Sequence, residues 1–226
     1  MNTPLKSLLV GLALLALLPL QSNAQAWVEA SAGTSMAETV VTKFNVGVPL
    51  SERWQILGGY RYGQNRYTFI DARPITDGDA MQASLGASVR LSQHGPLQLH
   101  AFALAGYRRI EDDGETVEQT AQFLTVEPGL VASLALTDKL SVQTGVNFWI
   151  HQQIRPSLLG DQIQNGVLQL GATYAITDRL RASLYLPTGP TFGGDGDTHK
   201  FHWEARLGLR YSLSASTAST FSLLFP

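Results

Sequence analysis

The sequence predicts an all-β chain that closes into a transmembrane, antiparallel, up-and-down β-barrel of ten strands, with eight as the alternative count. Three observations carry that prediction. Apolar and polar side chains alternate with a period of two along most of the chain, short turns take turns with long polar connections, and charges keep to one parity of each strand.

The first 26 residues stand apart. Lys6 lies in a short polar start, an apolar run from Leu8 to Leu20 follows, and Ala24-Gln25-Ala26 supplies small residues at an A-x-A spacing. That order is the pattern of a secretory signal peptide. The apolar run falls short of the ~20 residues that a membrane-spanning helix needs. Residues 1–26 are therefore expected to be a signal peptide, 27–213 the barrel and 214–226 a C-terminal tail.

In the segment from Met81 to Leu91, Met81, Ala83, Leu85, Ala87, Val89 and Leu91 alternate with Gln82, Ser84, Gly86, Ser88 and Arg90. Leu140, Val142, Thr144, Val146, Phe148 and Ile150 alternate in the same way with Ser141, Gln143, Gly145, Asn147, Trp149 and His151. Leu168 to Ile176 and Trp203 to Leu213 repeat the pattern. Each segment is about ten residues, enough for a tilted strand to cross a bilayer. Short connections read Pro49 to Arg53, Ser92 to Pro96, Thr137-Asp138-Lys139 and Thr177-Asp178-Arg179. Longer ones lie near 34–38, 64–79, 109–120, 152–165 and 188–199. Four short turns and five long loops give ten strands; eight follow if the first hairpin, 27–50, pairs differently.

Charge placement separates this fold from a soluble sandwich. Charged residues are 15% of the chain, against roughly 25% in soluble domains. Of the 18 acidic residues, twelve fall in the long loops, three in the short turns and three (Glu29, Glu127 and Glu204) on inward positions. Lys43, Arg61, Arg90, Arg108, Arg181, Arg206 and Arg210 share that inward parity. A water-facing sheet carries Lys and Glu freely, whereas Arg or Lys facing lipid at mid-bilayer costs about 2–4 kcal/mol. The polar parity here is instead Gln, Ser, Gly, Asn and Arg, which suits a narrow filled lumen. Trp54, Tyr174 and Tyr211 near the short turns, and Tyr60, Tyr62, Tyr107, Phe148 and Trp203 toward the loops, suit interfacial girdles. The absence of cysteine excludes disulfides and thiolate chemistry, and a net charge of −2 gives no reason to expect nucleic acid as a partner.

At this point the chain resembles the small outer-membrane β-barrel proteins of Gram-negative bacteria, at the level of the superfamily. Its most specific motif is Arg206-x-Gly208-x-x-Tyr211-x-Leu213, which is similar to the terminal-strand signal read by the barrel assembly machinery. The resemblance implies an outer-membrane location, with that machinery, membrane lipid and lipopolysaccharide as partners; it names no soluble partner. In that superfamily the last strand commonly ends the chain, whereas here Ser214 to Pro226 follow.

Three function classes are open to such a barrel, since one scaffold hosts all three. A structural barrel, or a narrow anion-favouring path, would use the inward set Glu29, Lys43, Arg61, Arg90, His100, Arg108, Glu127, Arg181, Glu204, Arg206 and Arg210. Buried charges need partners, so an Arg–Glu network filling the lumen is the expected state. His100 is expected to face Glu127 on the next strand. A lipid-A- or phospholipid-modifying hydrolase would draw on His151, with Ser157 nearby, or on His199 and His202 beside Glu204. No compact Ser–His–carboxylate pattern is present, so the expectation is that the protein is not an enzyme. An adhesin or envelope-stabilising barrel would use the acidic loops: Asp71, Asp77 and Asp79; Glu111, Asp112, Asp113, Glu115 and Glu118; Asp195 and Asp197. Divalent cations bridging those carboxylates to lipopolysaccharide phosphates belong to this third class. No resident metal or cofactor is expected; Gly193 to Asp197 is a single copy of a glycine-rich acidic pattern that binds calcium only in arrays.

Overall fold

Alternation with a period of two commits a segment to a strand with two unlike faces, and a sheet that turns one face to lipid must close so that no edge is left unpaired. The computed structural model describes residues 26–36, 38–65, 68–70, 73–75, 78–112, 119–155, 162–192 and 200–213. Among them run thirteen strands and no helix: β1 (Trp27–Ser35), β2 (Glu38–Pro49), β3 (Trp54–Asn65), β4 (Thr68–Ile70), β5 (Arg73–Ile75), β6 (Gly78–His94) and β7 (Leu97–Asp112), then β8 (Gln119–Ala135), β9 (Leu140–Arg155), β10 (Gln162–Ala175), β11 (Leu180–Tyr185), β12 (Thr188–Phe192) and β13 (Lys200–Ser212).

All pairings are antiparallel between neighbours, and β1 pairs with β13 to close the ring. β4 and β5 form a separate small hairpin. β11 and β12 are two pieces of one wall strand, both paired with β13. The break falls at Leu186-Pro187, where proline has no N–H to give the ladder. The wall therefore has ten strands, not eight, and the first hairpin pairs in the ordinary way. Following ladder partners round the wall from Trp27 leads through Gly47, Leu57, Gly86 and Leu104 to Glu127, which the register set by Val126–Ile150 and Gly129–Asn147 places opposite Trp149, and on through Asn165 and Thr191 to Lys200. Trp27 itself pairs with Ser212, so the ring closes with an offset of 12 residues. In a ten-stranded barrel that offset tilts the strands by roughly 40°.

Three of the short turns use one device. Ser51, Thr137 and Thr177 each accept backbone N–H bonds at 3.0–3.3 Å from the residues two and three ahead, with an acidic–basic pair between. The fourth turns at Gly95, whose φ of 56° is the left-handed conformation that glycine adopts without a Cβ penalty.

The outward face is apolar. Leu85 is 65% exposed and Leu207 69%, and the large exposed side chains Val126, Leu130, Val146, Leu168, Leu170 and Leu209 share their face. Trp54, Tyr174 and Tyr211 near the turns and Tyr107, Phe148 and Trp203 toward the other end are exposed as well. Such a continuous apolar surface suits lipid, not water.

The long connections are shorter than the sequence suggests. Strands β6 to β9 run 16–17 residues, well past the ~10 that cross a bilayer, and extend into 109–112, 119–120 and 152–155, which read as loop from composition. Composition misses this because a strand beyond the membrane has no reason to keep an apolar face. There Arg109 lies exposed on the outward parity of β7 and pairs with Glu111, and the Tyr62 hydroxyl donates to Asp79 at 2.7 Å.

Candidate functional site

The inward parity fills the lumen in layers, each set by which strands contribute to it. In the half toward the long loops, Lys43 on β2, Arg61 on β3, Gln82 on β6 and Arg108 on β7 are successive ladder partners, one row across four strands. Three cations in one row, two of them adjacent, repel one another, and the carboxylates that offset them come from elsewhere in the wall. Glu204 on β13 is fully buried and is the hub: its Oε2 accepts from Arg61 Nη2 at 2.8 Å, its Oε1 lies 3.8 Å from Lys43 Nζ, and Arg206 pairs with it along the same strand. Glu38, at the mouth of the first hairpin, receives both terminal nitrogens of Arg61 in a bidentate pair. It accepts from Ser35 Oγ at 2.9 Å and lies 3.7 Å from Arg108 Nη2. Glu127 accepts from Gln82 at 2.6 Å. Arg206 donates to Ser31 Oγ at 3.0 Å and stacks on Tyr185, 4.8 Å from the ring centre.

Next to this layer the lumen is apolar: Trp27, Leu57, Phe102, Leu104 and Val131 pack together, all buried. The Phe102 ring lies over Gly129, its partner across the ladder, where any side chain would collide with it. A second apolar group, Ala80, Ile110, Ala121 and Phe123, sits toward the ends of β6, β7 and β8. Around the seam, Arg210 donates to Glu29, its ladder partner, at 3.0 Å and stacks on Trp27 at 3.8 Å. Toward the short turns come Gln98, Ser133, Ser141, Gln143 and Thr173, all buried, with Ser141 and Thr173 sharing a hydroxyl bond of 2.5 Å.

The inward set read from the sequence thus divides. Lys43, Arg61, Arg108, Glu127, Glu204 and Arg206 meet in one layer, Glu29 and Arg210 form a separate pair, and Arg181 stands across the ladder from Arg210. Arg90 and His100 face each other nearer the turns. His100 does not meet Glu127. Its partner on β8 is Val131, and its Nε2 lies 3.3 Å from Gln98 Oε1, because the register sets Glu127 opposite Leu104 instead. Two kinds of lumen residue escaped the sequence reading. Composition places Glu38 in the loop 34–38, whereas Ser35 and Glu38 lock that hairpin by mutual hydrogen bonds at 2.9 and 3.0 Å. The inward apolar side chains occur where both parities are apolar, as in Ala101 to Ala105, and alternation has nothing to read there.

Of the residues considered for catalysis, His151 is buried in the lumen and contacts Phe123 edge-on at 6.5 Å, and neither ring nitrogen has a partner among the described residues. His202 packs against Trp149 at 4.8 Å. Glu204 is held by three cations. In the terminal-strand motif, Arg206 and Gly208 point inward, and Tyr211 and Leu213 are exposed; the Leu213 N–H donates to Ala26 O at 2.8 Å across the seam. Ser157, His199, Asp71, Asp77, Asp113, Glu115, Glu118, Asp195 and Asp197, with the signal segment 1–25 and the tail 214–226, lie outside the described residues.

No family model matches the chain, and no curated protein matches it. Among solved structures it is similar to the outer membrane protease OmpT of Escherichia coli, at 9% identity over 87% of this chain and 99% of that one, with a TM-score of 0.54. It also matches the N-terminal β-barrel domain of Pseudomonas aeruginosa OprF, at 14% identity over 84% and 97% of the two chains and a TM-score of 0.43. Neisserial surface protein A matches at 12% identity over 85% and 98%, again at 0.43. The chain has the outer-membrane β-barrel fold. At these identities the likeness extends to the architecture of the barrel and not to its chemistry.

Proposed function

We propose that this barrel sits in the outer membrane of a Gram-negative envelope, exported by its N-terminal signal, as a structural protein with a closed lumen and no enzyme activity. The observation that carries the reading is Glu204: a carboxylate with no solvent contact, tied at once to Lys43, Arg61 and Arg206 from three strands. A conducting pore keeps its charged side chains hydrated along a continuous path. Here the carboxylates are each engaged by side chains from across the lumen, and the apolar layer of Leu57, Phe102, Leu104 and Val131 backs them. The same pairing argues against catalysis, because a carboxylate shared among three cations is a poor partner for a histidine base. Insertion through the barrel assembly machinery, and contact with lipid and lipopolysaccharide at the outer rim, belong to this proposal.

The test is single-channel recording of the refolded mature protein in a planar bilayer, with a salt gradient. A silent barrel that is heat-modifiable on a gel is the expected result. Steady anion-selective steps, lost when Arg61, Arg90 and Arg206 are neutralised, would overturn the closed lumen. Altered lipid A or phospholipid in expressing cells, abolished by His151→Ala or His202→Ala, would overturn the non-enzymatic reading.

A further inference from the structure

One row of the wall departs from the rule that its outer face is apolar. Arg109 on β7 is the ladder partner of Gln122 on β8, and Gln122 is the partner of Arg155 on β9. All three share the outward face with Tyr107, Leu124 and Val126, whereas Ile110, Ala121 and Phe123 turn inward. Arg109 and Arg155 are exposed, with Gln122 half-buried between them.

Arg155 faces outward because of a bulge. Along β9 the odd positions Gln143, Asn147, Trp149 and His151 are buried in the lumen, and unbroken alternation would send Arg155 after them. Between the pairs Phe123–Gln153 and Gln122–Arg155 the ladder takes one extra residue on β9, Ile154. That residue shifts the parity and re-aims the arginine to the outer face.

Height along the wall decides what the row meets. Arg109 lies twelve residues up β7 from Leu97, its first residue, at the short-turn end. At a rise of about 3.3 Å per residue and a tilt of roughly 40°, that is about 30 Å, just beyond an apolar band of about 25 Å. On the same face, two residues below the row, stand Tyr107 and Leu124, both exposed, an aromatic and an aliphatic side chain suited to the boundary of headgroups and acyl chains. The row itself is cationic. Glu111 pairs with Arg109 from two residues nearer the loop, and no carboxylate of the described residues pairs with Arg155. Ladder partners stand about 5 Å apart, so long side chains flanking Gln122 can close on one group. Two guanidinium forks with an amide NH₂ between them present donors that match a phosphate.

We propose that Arg109, Gln122 and Arg155 hold a phosphate of a lipopolysaccharide headgroup in the outer leaflet, its acyl chains lying against Tyr107 and Leu124. The inference rests on the rim contact with lipopolysaccharide proposed above and narrows it to one stretch of wall on β7 to β9. It needs no divalent cation, in contrast to contact through the acidic loops.

The experiment titrates lipid A into the refolded mature protein in detergent micelles with EDTA present, and native mass spectrometry counts the lipid retained. One lipid A per barrel is expected. Affinity should fall about fivefold in each of Arg109→Gln and Arg155→Gln, and more than tenfold in the double variant. The control Arg53→Gln with Arg179→Gln, at the short-turn rim, should bind as the wild type does. Heat-modifiability on a gel reports that each variant is folded. Equal affinity in the wild type and the double variant, or equal affinity for lipid A with and without its phosphates, would overturn the site while leaving rim contact in place. No retention by the wild type would overturn both. Bilayer conductance is read separately: a conducting barrel whose lipid A depends on the arginines would keep this site and reject the closed lumen.

Discussion

Two neighbouring layers of the same lumen are built on opposite physics. In the layer around Glu204, seven charged side chains share one buried volume, and each is tolerable only because others are present. In the layer around Phe102, Trp27, Leu57, Leu104 and Val131 gain from contact alone and demand nothing of any particular partner. The ionic layer thus behaves as a unit in which one loss strands several charges, while the apolar layer degrades by the volume removed. That difference teaches how a ten-stranded barrel can be filled: one layer fixes which strands face one another, the other excludes water.

The sharpest way to break the comparison is Glu204→Ala. It leaves Lys43, Arg61 and Arg206 buried around a missing carboxylate, a class of change that costs about 3–5 kcal/mol. Equilibrium unfolding in urea from lipid vesicles should show a midpoint lowered accordingly. An unchanged midpoint would mean that water reaches the network. Phe102→Ala comes next, with an expected loss of about 3 kcal/mol from transfer and cavity terms. Phe102→Leu should lose less, in proportion to the smaller volume removed, whereas Glu204→Gln should recover little, because the buried cations still lack their counter-charge.

Arg206 and Leu207 carry the comparison through the wall. Arg206 is 1% exposed and Leu207 69%, one residue apart, and the reversal is what a barrel with lipid outside requires. This feature was legible in the sequence, since alternation and the confinement of charge to one parity fix which side of each strand is which. Glu38 was not legible, because nothing in Ser35 to Glu38 announces that the hairpin is tight enough to bring its carboxylate inside. Nor were Phe102 and Leu104, since an apolar residue on the polar parity looks like noise until the register places it in a cluster. The facing of Leu207 gives a third prediction. Leu207→Arg should lower stability by about 2–3 kcal/mol or prevent insertion, measured by the folded fraction after refolding into vesicles.

The smallest expected effect tests whether location or pairing sets these costs. Arg109 and Glu111 form an ion pair as close as those in the lumen, but on the outward face of β7 toward its loop end, with Arg109 nearly half exposed. A pair wetted on its outer side gains little from Coulomb attraction and is screened by salt. Arg109→Ala should therefore cost no more than about 0.5 kcal/mol, and less still at high salt. A loss comparable to that of Glu204→Ala would place Arg109 within the low-dielectric span, which would move the membrane boundary outward along β6 to β9. A negligible loss would set the end of the hydrocarbon below Arg109. The contrast between the two pairs would then measure what exclusion of water adds to the same two chemical groups.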